Sequence, residues 1–297
     1  MEAAAAVERL WPGRPARVLA LDGGITNRNY KVDFEGESYV LRMGGLRTEL
    51  LGIDRAVEHA ASLRADEIGV GPSVVAFVQP EGWLVTRFID GRRLAPEEIR
   101  TPEILLRVAG ALRKVHGAAA IPGRFDAHAV VDEYRVRAQA YEVTIPDAFA
   151  AARETAERIR RARGPQPLVP CHNDLLNANF LDDGEIRIVD WEYAGMGDRF
   201  FDLANLSVNH DFEIADDRAL LSCYFGVERP SDLAALRLMR FMSDFREAMW
   251  GVLQSGISEL DFDFTGYAAK HFERLGRTAA DRAFEQHLEA ARPRDRV

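Results

Sequence analysis

The sequence predicts an α+β protein of two lobes, an N-terminal five-stranded antiparallel sheet with one helix and a larger, mainly helical C-terminal lobe. Short apolar runs separated by Gly-containing turns fill the first ninety residues, which is typical of strands. Beyond them, apolar residues recur mostly at helical spacing. The length of 297 residues suits two lobes. We therefore divide the chain into lobes of residues 1–90 and 91–297.

Three strands are predicted first. They cover residues 18–21, 29–34 and 38–43. A turn with two glycines, residues 22–24, follows the first strand. The short Gly-containing connection at 35–37 predicts that the second and third strands form a hairpin.

A helix and two further strands complete the N-terminal lobe. Apolar residues at helical spacing predict the helix over residues 49–68, and Gly69, Gly71 and Pro72 end it. The two strands cover residues 73–78 and 83–89 and are joined by a turn at 80–82. Residues 90–93 follow as the predicted hinge between the lobes.

The second lobe is predicted to be helical apart from one hairpin. Amphipathic patterns predict helices over residues 102–116, 131–141 and 147–163. Two short strands, residues 180–181 and 186–189, flank a tight turn at 182–184. From residue 201 onward the pattern is helical again, with a loop near 226–230.

Charge and cysteine content exclude several classes of function. Acidic residues outnumber basic ones 47 to 38, which argues against nucleic-acid binding. Two cysteines, Cys171 and Cys223, cannot form a disulfide framework or a cysteine-based zinc site. We see neither a signal peptide nor an apolar run long enough for membrane insertion. We therefore expect a cytoplasmic protein.

The most informative segment is His172–Asn179, followed by Ile188–Glu192. Phosphoryl transfer needs a carboxylate to accept the proton of the attacking hydroxyl, together with oxygen ligands for Mg²⁺. We expect Asp174 to be the catalytic base, and Asn179 and Asp190 to be catalytic residues that hold the metal. The alternative is that these are ordinary turn residues, but apolar strands flank Asp190 and the whole set occurs together.

The spacing His-x-Asp-x-x-x-x-Asn with a downstream Ile-Val-Asp-Trp-Glu resembles the catalytic and metal-binding segments of the aminoglycoside phosphotransferase and choline kinase superfamily. This resemblance implies a two-lobed protein-kinase-like fold. It also implies a small-molecule kinase that uses ATP and Mg²⁺ to phosphorylate an alcohol.

The N-terminal lobe contains candidate nucleotide-binding residues. The loop after the first strand could offer backbone N–H groups to the phosphates of ATP, although a Gly-Gly turn is also common in plain hairpins. In protein kinases the third strand carries a lysine that contacts the phosphates. This chain has no lysine in that strand, so we assign the role to Arg42. Glu58 is either the ion-pair partner of Arg42 or a solvated helix residue. The full predicted set is Gly24, Thr26, Asn27, Arg28, Asn29, Arg42, Glu58, Arg87, Phe88 and Ile89, of which the last three would read the adenine.

Several strings resemble choline and ethanolamine kinases in particular. They are residues 24–32, 190–195, 201–205 and 250–258. This resemblance implies choline or ethanolamine as acceptor. Cationic acceptors bind to aromatic faces with a carboxylate nearby, and Glu247 and Trp250 share one helix face. The predicted acceptor residues are Asp174, Trp191, Tyr193, Asn209, Glu247, Trp250 and Tyr267.

The chain also departs from the pattern of those kinases. Leu253 stands where a second aromatic residue is usual, and Asn209 and His210 stand where an acidic and an aromatic residue are common. A thinner aromatic cage favours a smaller amino alcohol or another hydroxyl substrate. Trp250 could equally be a core residue.

Two rival functions remain open. The acceptor could be an aminoglycoside or another small-molecule hydroxyl, or the chain could be a catalytically inactive nucleotide-binding module. The second is disfavoured because both Asp174 and Asp190 are present. The sequence leaves open whether the protein is a monomer or a homodimer.

Overall fold

The computed structural model describes residues 2–21 and 26–292. Their N-terminal part contains helix α1 (Glu2–Leu10), helix α2 (Arg55–Glu67) and five strands. The strands are β1 (Arg17–Leu21), β2 (Asn27–Phe34), β3 (Glu37–Gly44), β4 (Val74–Val78) and β5 (Trp83–Arg87). They form one antiparallel sheet in the order β1-β2-β3-β5-β4. This confirms the predicted five-stranded sheet.

The turn between β2 and β3 sets the position of Arg42. Glu35 and Gly36 both have positive φ, at 53° and 80°, as a two-residue hairpin turn that follows the strand twist requires. The resulting register pairs Asn29 with Arg42 on β3, and Arg42 in turn with Leu84 on β5. Arg42 therefore lies in the centre of the sheet.

The predicted helix over residues 49–68 is wrong at its start. Thr48–Leu51 forms a short 3-10 turn, and Gly52 follows with a φ of 80°. Helix α2 begins only at Arg55, after the Asp54 carboxylate accepts the backbone N–H groups of two residues in the first turn. The apolar residues Leu51 and Ile53 belong instead to the core of the helical lobe. Leu50, which has helical spacing to Ile53, packs against the same core, so this spacing reflects packing and not a helix.

Helix α1 is absent from the sequence prediction. Its Ala3, Ala6 and Val7 are buried in one cluster with Val32 and Leu41 of the sheet. Because the alanines contribute little to a hydrophobic pattern, periodicity alone does not reveal this helix.

The chain passes between the lobes from Arg87 to Arg92. Gly91 lies close to the second lobe, where an added Cβ would meet the backbone oxygen of Asp182 at 3.1 Å. Strand β6 (Arg92–Arg93) then pairs with the hairpin that carries Asp182. The close approach of two backbones explains the glycine at this crossing.

The second part consists mainly of helices, as predicted. They are α3 (Pro102–His116), α4 (Ala127–Ala140), α5 (Ala148–Arg163), α6 (Arg199–Asn209), α7 (Ile214–Phe225), α8 (Pro230–Ile257), α9 (Phe264–Ala280) and α10 (Phe284–Ala290). Strands β8 (Phe180–Asp182) and β9 (Ile186–Ile188) form the predicted hairpin and extend β6. Two strands that the sequence did not predict, β7 (Leu168–Cys171) and β10 (Gly195–Asp198), pair with each other.

Helix α8 is the centre of this lobe. Its 28 residues are buried almost all round, and they contribute to both large apolar clusters of the lobe. Glu247 and Trp250 are therefore held on a rigid element. No helix within residues 2–21 and 26–292 has both the length and the apolar character needed to cross a membrane.

Candidate active site

The loop after β7 is fixed by helix α6. Both carboxylate oxygens of the fully buried Asp202 are used, because Oδ2 accepts the backbone N–H of His172 at 2.8 Å and Oδ1 that of Asn173 at 2.7 Å. One turn later, Asn205 Oδ1 accepts the backbone N–H of Leu175 at 2.6 Å. The loop conformation around Asp174 is thus imposed by side chains of α6.

His172 braces the same loop from inside. Its Nδ1 accepts the backbone N–H of Asp174 at 3.2 Å, so Nε2 carries the proton and donates to the backbone oxygen of Val189 at 2.9 Å. Burial lowers the pKa of His172, which keeps the ring neutral in this arrangement. The ring connects the loop of Asp174 to the segment that carries Asp190.

Asp174 and Asn179 are brought together. The Asn179 amide donates through Nδ2 to the backbone oxygen of Asp174 at 2.8 Å, which leaves Oδ1 of Asn179 as its ligand atom. Both residues are buried, and burial raises the pKa of Asp174 well above its usual range, with nearby Arg246 acting in the opposite direction and Glu247 adding to the rise. The carboxyl of Asp174 therefore lies in a poorly hydrated place, on the same loop as a side-chain oxygen suited to Mg²⁺.

Asp190 follows β9 with a φ of 70°, in the left-handed region. This backbone conformation turns its side chain toward the space between the lobes, where it lines a cavity together with Asn179. Carboxylate and amide oxygens are the ligands that Mg²⁺ prefers. The donor atoms of Asn179 and Asp190 thus fit the metal that the sequence predicts.

Arg42 connects the sheet to these residues. Its guanidinium pairs with Glu58 of α2 at 3.1 Å, with Glu192 at 3.1 Å and with Asp190. Burial acts to lower the pKa of Arg42, but the three carboxylates outweigh it and the pKa lies above its ordinary value. Arg42 is therefore a permanently charged link between both lobes.

Glu192 and Arg55 have no role in the sequence prediction, yet they complete this network. Glu192 accepts hydrogen bonds from Thr26 Oγ1 at 2.5 Å and Asn27 Nδ2 at 2.8 Å. Arg55 contacts Glu58 at 2.6 Å and Glu192 at 3.4 Å. The spacing of Arg55 and Glu58, three residues apart on one helix, is a sequence signal for their pairing. Glu192 ends the Ile188–Glu192 string of the sequence analysis, but no local pattern indicates its partners Thr26 and Asn27.

The cleft between the lobes contains a cavity of about 270 Å³. Of the predicted nucleotide-binding residues, Asn29, Arg42, Arg87, Phe88 and Ile89 line it, as do Asn179 and Asp190. Thr26, Asn27 and Arg28 instead border a smaller cavity of about 160 Å³ that Gln254 and Ile257 also line. Gly24 lies outside the described residues.

A second group of side chains lies next to Asp174. We call Tyr193, Arg246, Glu247, Trp250 and Tyr267 the acceptor box. Tyr267 donates its hydroxyl to Glu247 at 2.8 Å, and Trp250 donates its indole N–H to the Tyr193 hydroxyl at 3.0 Å. The rings of Trp250 and Tyr267 meet edge to face at 5.5 Å. The four predicted members of the box are thus in mutual contact.

Trp191 and Asn209 lie elsewhere. Trp191 packs edge-on against His172 at 4.7 Å, donates its indole N–H to Ile188 and lines the cavity between the lobes. Asn209, in the last turn of α6, donates to Asn205 at 3.2 Å. A contact of either residue with the acceptor stays a prediction.

Removing the charge of Arg42 is expected to destabilise the fold. Arg42→Met leaves Glu58 and Glu192 buried with Arg55 as their remaining cation. We therefore expect the free energy of unfolding to fall by about 3 kcal/mol, the lower end of the range for a broken buried ion pair. Urea unfolding measures it. The control is Arg14→Met, which removes the exposed pair with Glu35 and should cost under about 1 kcal/mol. Equal losses in the two variants would contradict the role of Arg42.

Comparisons with known proteins give one matching family model and similar kinases. Residues 17–239 match the model of the phosphotransferase enzyme family. Ethanolamine kinase 1 of Mus musculus is 26% identical over 89% of this chain and 84% of its own length. The crystal structure of a choline/ethanolamine kinase family protein from Mesorhizobium loti is 34% identical, covers 98% of each chain and superposes with a TM-score of 0.85.

A more distant comparison shows the fold alone. An aminoglycoside phosphotransferase solved with ADP and hygromycin B is 18% identical over 95% of this chain, with a TM-score of 0.68. The two-lobed kinase-like fold is thereby confirmed.

Proposed function

The chain belongs to the phosphotransferase enzyme family, and on that premise we propose that it transfers the γ-phosphoryl group of ATP to the hydroxyl of a small amino alcohol, with choline and ethanolamine as first candidates. Its relatives make it a small-molecule kinase. The main support for a small amino alcohol as acceptor is the position of Asp174 between the cavity and the acceptor box. Its neighbour Asn179 lines the cavity between the lobes, while Arg246 of the acceptor box lies 3.8 Å from its carboxylate.

The cavity supplies the nucleotide site. The segment Arg87–Ile89 lines it, as the sequence prediction requires. The backbone N–H groups of Arg87 and Phe88 already donate to Ser73 and Ser38, so the backbone of Ile89 would contact the adenine. Arg42 extends from the sheet toward Asp190 and can neutralise phosphate charge. Asn179 and Asp190 would hold Mg²⁺, which neutralises charge on the phosphates when bound.

Asp174 acts on the acceptor. A hydroxyl placed against its carboxylate can be oriented for attack and lose its proton to Asp174 as the phosphoryl group is transferred. The acceptor box holds the other end of the molecule, because it combines the carboxylate of Glu247 with three aromatic rings. Its members are buried or half-buried, which favours a small acceptor over an aminoglycoside.

An acceptor panel tests this function. Purified protein with ATP and MgCl₂ is given choline, ethanolamine, serine or an aminoglycoside, and ADP release and the phosphorylated product are measured for each. We expect product with the amino alcohols. Product with the aminoglycoside alone would favour the second candidate, and nucleotide binding without product from any acceptor would favour an inactive module.

Trp250 is expected to contribute to acceptor affinity. A cation–π contact is worth about 0.5–2 kcal/mol, so Trp250→Ala should raise the KM for the acceptor by about 2- to 30-fold. The KM for ATP should be almost unchanged, because Trp250 is not among the residues that line the cavity between the lobes. Trp250→Phe is the control that keeps a ring. If the KM values for ATP and acceptor rise together, Trp250 is a core residue only.

A further inference from the structure

One member of the acceptor box has no place in the sequence prediction. Arg246 is 1% exposed, and its guanidinium lies over the ring of Tyr193 at 4.2 Å. Its Nη1 donates to Glu247 and is 3.8 Å from Asp174 Oδ1. The aromatic face and the carboxylate of the box are therefore both in contact with a cation that belongs to the protein.

This arrangement matters because a quaternary ammonium needs the same partners. Such a group has no N–H to donate, so aromatic faces and the charge of a carboxylate are what hold it. Here Arg246 covers the face of Tyr193 and neutralises Glu247. Trp250 remains, but Phe264 and Tyr267 pack against its ring at 5.7 and 5.5 Å. Three N-methyl groups thus meet a box whose aromatic face and carboxylate are already in contact with the guanidinium of Arg246.

A primary ammonium meets a different situation. It is smaller and donates up to three hydrogen bonds, for which the box provides oxygen acceptors in Glu247, Tyr193 and Tyr267. Arg246 therefore opposes a quaternary head group more than a primary one.

The hydrogen bonding of Arg246 argues against a purely structural role. Its Nε and Nη2 are buried and have no acceptor among the described residues. Buried donors that only support a fold are normally paired, and unpaired ones call for another explanation. The two other arginines toward the middle of α8 do have such partners, since Arg237 and Arg240 both reach the buried Asp217.

We propose that Arg246 is a specificity-determining residue, which makes the acceptor site select a primary over a quaternary amino alcohol by holding its own cation between Tyr193 and Glu247. The proposal rests on the proposed function and names the acceptor class of that same site.

A methylation series tests the proposal. Ethanolamine, its N-methyl and N,N-dimethyl derivatives and choline differ by one methyl group at each step, and kcat/KM is measured for all four with saturating ATP. In the unaltered protein we expect kcat/KM to fall along the series. In Arg246→Met, which removes the guanidinium, the ratio of ethanolamine to choline should fall by at least about 10-fold.

Ratios within one preparation do not depend on how much of the protein is folded, so a partly unfolded variant still gives an answer. Arg246→Lys keeps the positive charge and should retain more of the preference than Arg246→Met. Arg237→Met removes an ion pair from the same helix outside the box and should leave the ratio unchanged.

Two results would overturn the proposal while leaving the proposed function intact. One is a choline kcat/KM equal to or above that of ethanolamine in the unaltered protein. The other is an unchanged ratio in Arg246→Met. If the unaltered protein phosphorylates none of the four alcohols, the proposed function fails and the proposal fails with it.

Discussion

Asp174→Ala is expected to lower kcat by about 10²- to 10⁴-fold, the usual contribution of a general base. The KM for ATP should stay nearly unchanged, because the cavity between the lobes is lined by Asn179 and Asp190 but not by Asp174. Steady-state kinetics with the best acceptor of the panel measures both quantities.

The variant should fold, which makes the measurement interpretable. The loop contacts of Asp174 are made by its backbone, since its N–H donates to His172 and its carbonyl oxygen accepts from Asn179. Asp183→Ala is a matched control, because Asp183 lies in the β8–β9 turn, where its carboxylate pairs with Arg187 and accepts the backbone N–H of Glu185. A kcat of Asp174→Ala within a few-fold of the control would remove Asp174 from the role of base.

The sequence predicts the sheet and the closeness of Asp174 and Asn179 because both depend on local signals. The hairpin at Glu35–Gly36 needs positive φ at two neighbouring positions. A short connection that contains glycine indicates such a turn. Asp174 and Asn179 are five residues apart on one loop, so their contact follows directly from the fold of that loop. The strand β8, which follows Asn179, is also indicated by its apolar residues.

Other features depend on contacts between distant segments, and local patterns do not reveal them. Leu50 and Ile53 have helical spacing, yet they pack against the second lobe, where the hydroxyl of Tyr134 donates to the backbone oxygen of Leu51 at 2.8 Å. Glu192 is bonded to Thr26 and Asn27, more than 160 residues away.

The acceptor box also depends on a contact between segments that are distant in the sequence. Glu247 and Trp250 are three residues apart on α8, so helical spacing places them on one face. Arg246 is four residues before Trp250, so the same spacing places it near that face as well. Its guanidinium lies over Tyr193, which is brought there by the segment before β10. Spacing along one helix therefore does not show that a cation covers the aromatic face of the box.

The largest effect on nucleotide binding is expected at Asp190. Asp190→Ala removes one of the two proposed ligands of Mg²⁺, and the charge stabilisation that such a metal provides is worth several kcal/mol. We therefore expect kcat to fall by about 10³-fold or more. We also expect the Kd for ATP with MgCl₂ present to rise at least about 10-fold, toward the value measured in EDTA.

Calorimetric titration of ATP, with MgCl₂ and with EDTA, separates the two roles proposed in this site. Asp174→Ala should keep the full difference between the two conditions, because its carboxyl acts on the acceptor. Asp190→Ala should lose that difference, although Arg42 still pairs with Glu58 and Glu192 and the fold should hold. If Asp190→Ala still binds ATP more tightly with MgCl₂, then Asp190 serves only as a partner of Arg42 and the metal is held by other groups.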